Sequence, residues 1–291
     1  MEAWVADFLR YSVDVLAITL NQSFILVGPG LILTMAMHLL SLFVERQAYA
    51  LLGRNLFLAL FGWLGTSIHE LGHAFFHLVF GHRLLEIALF KPDPTTNTLG
   101  YTRCRYNADN VYHRIGMFFV GVGPVLFGST IIYLAARWLI GPQVFASMQT
   151  LTINETDFRS LFQIKELLGE VYRASRPVVA AYFNIENLAR WQFYLFVYLT
   201  FSVGSSITLS PQDIRGASSG FFTLAILLMV SNTLTLWMGP FMMELAVKLS
   251  RLYATFYAVM IFVILTNLIV AAVFIPLGAF LNALRRKVPY V

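Results

Sequence analysis

Six stretches of this chain are apolar over roughly the 20 residues that a helix needs to cross about 30 Å of hydrocarbon, a pattern that directs the chain into a bilayer. They run at about Phe24 to Val44, Asn55 to Phe80, Ile115 to Leu139, Trp191 to Leu209, Gly220 to Met243 and Leu252 to Phe280. In hydrocarbon every backbone N–H and C=O must find a partner inside the protein, so only helices and closed barrels span a membrane, and runs of this length select helices. The predicted fold class is all-α and polytopic, with about six transmembrane helices, a short β-hairpin and an amphipathic interfacial helix. The break at Ser210-Pro211-Gln212-Asp213 leaves the boundary between the fourth and fifth spans open.

Charged residues make up 12% of the chain, against roughly a quarter in an ordinary soluble domain. The mean hydropathy of +0.71 is spread along the length rather than confined to one end, which excludes disorder, a fibrous repeat and a soluble domain on an anchor. The net charge of +5 is read as basic flanks facing an anionic leaflet and not as a nucleic-acid surface. A single cysteine, Cys104, forbids an internal disulfide and a Cys-rich metal site, so a bound metal would fall to histidines and carboxylates.

Three regions follow. Residues 1–54 hold a lead-in and the first span; Glu2, Asp7, Arg10 and Asp14 interrupt the first twenty residues, so these are expected to lie as an amphipathic helix at the interface rather than to form a cleaved signal. Residues 55–229 hold the core, and 230–291 a membrane region ending in Arg285-Arg286-Lys287, which favours cytosolic N- and C-termini. Within the core, the connection after the second span alternates apolar and polar residues on both sides of Pro92-Asp93-Pro94-Thr95-Thr96-Asn97, predicting a hairpin with arms Leu84 to Phe90 and Leu99 to Tyr106. The connection 141–190 carries Phe158, Leu161, Phe162, Lys165, Leu168 and Tyr172 at helical spacing, predicting an amphipathic helix on the bilayer or the bundle.

The second span reads His69-Glu70-Leu71-Gly72-His73. Four residues of helix return to the same face after a rise of about 6 Å, so both imidazoles can grip one ion, while Glu70 lies about 100° round the helix, where it can reach water without acting as a ligand. By itself the pattern is common. In an apolar span, however, a glutamate and two histidines cost several kcal/mol unless paired or bound. A metal site, a proton or ion relay of a transporter, and histidines satisfied by neighbouring helices all answer that need; the spacing favours the metal. His77 lies about 12 Å along the axis from His69, too far to share its ion, and is expected beside the site. His38, His82 and His113 fall at span ends, where polar tips near headgroups are the plain reading. A catalytic zinc takes three protein ligands and one open position. Asp213 is the best candidate for the third, with Glu244 its rival and Glu86 and Asp109 more distant, on the expectation that Pro211 unwinds the backbone and lets Asp213 turn inward.

Together, His69-Glu70-Leu71-Gly72-His73 on a membrane helix, a following hairpin, Gly123-Pro124-Val125-Leu126-Phe127-Gly128 in the next span and Pro211-Gln212-Asp213-Ile214-Arg215-Gly216 resemble the site-2 protease family of intramembrane metalloproteases over about Asn55 to Met229. The resemblance implies one Zn2+ per chain on His69, His73 and Asp213, with Glu70 activating water. It also implies hydrolysis of a peptide bond in a transmembrane protein substrate, as in regulated intramembrane proteolysis. Two departures stand out. Phe127 and Gly128 follow the Gly-Pro pair where the family commonly has an asparagine, and Gly204-Ser205-Ser206 precedes the aspartate where the family has an oxyanion-steadying asparagine, leaving Ser205 or Ser206 as stand-ins. Gly121, Gly123 and Gly128 also fit a plain packing role, since small residues let membrane helices approach closely.

Overall fold

The computed structural model describes residues 2–96, 98–141, 184–207, 209–235, 256–257, 259–273 and 275–278, with isolated positions 172, 176 and 180. The chain is mostly helical. Its first helix, α1, runs unbroken from Glu2 to Leu52 over 51 residues, about 77 Å at 1.5 Å per residue, so the lead-in and first span are one element. The reason lies in the polar residues of the first half. Thr19 and Gln22 are buried, and Asn232 donates through Nδ2 to Thr19 Oγ1 and Gln22 Oε1, both at 2.9 Å. Tyr11 Oη donates to the Thr233 carbonyl at 2.7 Å. These groups face another helix instead of a headgroup layer.

After Gly53, a helical run over residues 54–79 opens with one α-turn, widens into a π segment at Leu58–Gly62 and continues as α2, Trp63–Val79. The hairpin follows: β1, Arg83–Ala88, pairs antiparallel with β2, Tyr101–Arg105, setting Arg83 opposite Arg105 and Ala88 opposite Tyr101, with a bulge between Leu84 and Glu86. Its turn is held by Asp93, whose Oδ1 accepts from the Thr95 amide at 2.8 Å and hydroxyl at 2.6 Å, and those bonds hold its carboxyl down to about 2. Then come α3, Val111–Leu139; α4, Trp191–Ser206; α5, Pro211–Thr235; and α6, Val259–Gly278.

Among the described residues, four helices are long and apolar enough to cross a membrane: Trp4–Leu52 within α1, then α3, α5 and α6. The sequence predicts six. Two of its stretches form α-helices of 17 and 16 residues, α2 and α4, because the π segment interrupts the first and the second stops at Ile207, ahead of Pro211. The predicted amphipathic helix over 158–172 lies, apart from Tyr172, outside the described residues, as do Glu244 and Arg285-Arg286-Lys287.

The apolar core sits among α1, α3, α4 and α6, where Met37, Ile132, Phe196, Val203 and Phe262 are almost fully buried. On its flank α2 and α5 each pack along α3. Glycine sets how close they come: a Cβ on Gly72 would lie 2.8 Å from Pro124 Cα, and one on Gly121 would lie 2.5 Å from the Asp213 carbonyl oxygen. No side chain fits at either crossing, and this draws the polar residues of α2, α3 and α5 together.

Candidate metal centre

His69 and His73 stand one turn apart on α2, and each turns its Nδ1 to a backbone carbonyl: His69 to Ser206 at 2.8 Å, His73 to Val120 at 2.9 Å. A carbonyl only accepts, so in both rings Nδ1 carries the hydrogen and, in the neutral imidazole, Nε2 is left as a bare lone pair. These two Nε2 atoms face each other at 3.1 Å. Asp213 closes the triangle, with Oδ1 3.2 Å from His73 Nε2 and Oδ2 3.7 Å from His69 Nε2. The ligand atoms lie within 4.8 Å of one another and could hold one metal ion. Two nitrogens each about 2.05 Å from a shared tetrahedral ion are about 3.3 Å apart, close to the spacings here. These three groups are a donor set that could hold a cation between them.

Both accepting carbonyls are free for reasons written in the sequence. Ser206 is the last residue of α4, where helix carbonyls have no partner in the ladder. Val120 lies inside α3, yet the residue four positions on is Pro124, which has no N–H to offer it. The proline thus hands a carbonyl to His73 and fixes its tautomer. Pro124→Ala is expected to restore an amide that competes for Val120, loosening His73 and weakening metal binding by about 10- to 100-fold even as the helix itself becomes more regular. Competition titration against a chelator reads this, and unchanged affinity would remove the assigned role.

Asp213 differs from expectation in its backbone. It is not on unwound chain: residues 207, 209 and 210 lie outside the helices, and Asp213 sits in the first turn of α5 behind Pro211, a residue suited to a helix start. Ser210 and Asp213 cap reciprocally, the Ser210 amide donating to Oδ2 at 2.7 Å and the Asp213 amide to Ser210 Oγ at 3.2 Å. Because α5 begins beside α2, the aspartate reaches the histidines without leaving its helix, and the positive end of that helix favours its charge.

Glu70 is buried and turns to the hairpin, where Thr102 Oγ1 donates to its Oε2 at 2.8 Å. It lines a cavity of about 800 Å³ shared with His69, His73, Asp213, Thr102 and Gly100. Ser205 and Ser206 also border the cavity, but Ser205 Oγ donates to the Ser202 carbonyl at 3.0 Å and Ser206 serves His69 through its carbonyl.

Period-two alternation divides β2. Tyr101 and Arg103 turn to Glu86, which accepts from the Tyr101 hydroxyl and pairs with Arg103 at 3.2 Å; giving its hydrogen to Glu86 raises the Tyr101 phenol above its ordinary range. Thr102 and Cys104 turn to α2, and burial lifts the Cys104 thiol likewise. His82, read from the sequence as a headgroup-facing tip, is 3% exposed. It stacks on Tyr106 and sits against His77.

The sequence alone does not single out Thr102 or Val120, and it marks Ser210 only as part of a helix break. A proline inside a helix points to a free carbonyl four residues back, and Ser-Pro-Gln-Asp carries a capping pattern; both signals were present. Comparison with protein-family models, with curated proteins and with solved structures finds no match for this chain. The functional reading therefore rests on the geometry of the site.

Proposed function

We propose that this chain is a multi-pass integral membrane zinc metalloprotease of the site-2 type, hydrolysing a peptide bond of a membrane-embedded protein. The observation that carries this reading is the convergence of His69 Nε2, His73 Nε2 and the Asp213 carboxylate on one point, with Glu70 on the wall of the same cavity. Two imidazoles and a carboxylate suit zinc, and Asp213 supplies the third ligand without recourse to Glu244. A zinc ion held there supplies Lewis acidity and brings the acidity of water into the neutral range.

The protein's own groups account for the remaining chemistry. His69 and His73 are fixed in the metal-binding tautomer by Ser206 and Val120. Glu70, oriented by Thr102, takes the proton of the attacking water and returns it to the leaving amine. The cavity admits water and a chain in extended form. A helical substrate hides its carbonyls in its own ladder, so it unwinds near the site and pairs along residues 98–102, which line the cavity on the β2 side of the hairpin.

The test uses native membranes containing the protein. Stripping the metal with a membrane-permeant chelator is expected to halt cleavage of transmembrane proteins, read as the loss of new N-termini by terminal proteomics, and added Zn2+ is expected to restore it. Cleavage that persists in stripped membranes would overturn the reading.

A further inference from the structure

One turn beyond His73, α2 ends in a Schellman motif. Gly81, at φ +70°, donates its amide to Leu78 at 3.1 Å, and the next residue, His82, donates its amide back to His77 at 2.8 Å. That motif brings the side chains three residues before and two residues after the cap into contact, a pair that is usually apolar. Here both are histidines, and both are buried. Their Nδ1 atoms meet at 2.8 Å, while His82 Nε2 donates to the His113 carbonyl at 3.0 Å. The second contact fixes the His82 tautomer and leaves its Nδ1 as a lone pair aimed at His77. The third group is Cys104, the sole cysteine of the chain, on the α2-facing side of β2; its sulfur lies within 4.8 Å of the ligand nitrogens.

We propose that His77, His82 and Cys104 form a second metal site, for a thiophilic divalent ion such as Zn2+, that clips β2 of the hairpin to the C-terminal end of α2. The donors come from three successive places in the fold, the last turn of α2, the cap that follows it and β2, so an ion held by all three ties the hairpin down. Two imidazole nitrogens and a thiolate are a set that zinc and its soft neighbours prefer. Opening the nitrogen pair by about half an ångström reaches the tetrahedral spacing. His77 and Cys104 border the large cavity, so the fourth position of the ion opens to water there. The clip also lies two residues from Thr102, the residue that holds Glu70.

The experiment takes the full chain in detergent, strips it and reloads it with Co2+ alone. Expected are about two ions per chain and a near-ultraviolet sulfur-to-cobalt charge-transfer band, which the all-nitrogen-and-oxygen ligand set of the first site does not give. Cys104→Ser should remove the band and one ion, whereas His69→Ala should leave the band intact, so failure of this proposal and failure of the protease reading give different results. A measurement on the unmutated chain guards against misfolding: bound Co2+ should protect Cys104 from alkylation by a maleimide. One ion per chain with no sulfur band, or alkylation at the same rate with and without Co2+, would reduce the His77–His82 pair to a simple N–H···N hydrogen bond and overturn the proposal.

Discussion

Glu70→Gln is expected to lower the rate of peptide-bond cleavage by about 10²- to 10⁴-fold, the usual contribution of a positioned general base, with metal content unchanged. The argument is geometric. Glu70 takes no part in the triangle of His69, His73 and Asp213, and glutamine keeps its volume and an oxygen to accept from Thr102. What it loses is the capacity to take a proton. The measurement pairs cleavage in reconstituted vesicles with metal analysis of the same sample, and comparing membrane proteomes of the two forms would expose the substrates. Full activity in the variant would remove Glu70 from the mechanism; loss of the metal would make it a structural group instead.

Asp213 is expected to divide its two duties between two variants. Asp213→Asn keeps an oxygen for the Ser210 amide and so keeps the cap of α5, but removes the charge facing the imidazoles. Asp213→Ala loses both. Each should weaken metal binding by more than the roughly 10- to 100-fold that losing an outer partner costs. Only the alanine form should also lose about 1 kcal/mol of stability through the missing cap. Chelator competition and thermal unfolding in detergent read the two effects separately. An asparagine variant that binds metal like the parent would mean that the carboxylate is a cap alone.

The parts of the site legible in the sequence are those with local causes. Two histidines four apart share a helix face whatever surrounds them, and alternation about a Pro-rich turn points to a hairpin, so the shared face of His69 and His73 and the existence of β1–β2, though not its bulge or exact ends, are legible in the chain. Topology points to Asp213, but Ser210-Pro211 fits a helix break and a helix start equally well in the sequence, and the folded cap decides for the start. The unbroken α1 was hidden because Thr19 and Gln22 look solvent-facing until Asn232 is brought against them. The burial of His82 was hidden for a related reason: Gly81 marks the end of α2, but only the folded cap shows that the chain turns back onto His77.

Pro124 meets Gly72 at the crossing of α2 and α3 and, by lacking an amide, also decides which nitrogen of His73 is protonated. The close approach there depends on Gly72 having no side chain, whereas the imidazole chemistry depends on the missing amide of Pro124, so one crossing serves both. Transplanting the five-residue histidine motif onto another hydrophobic helix would not reproduce this centre unless the neighbouring helix also carried a proline four positions beyond the carbonyl it is to offer.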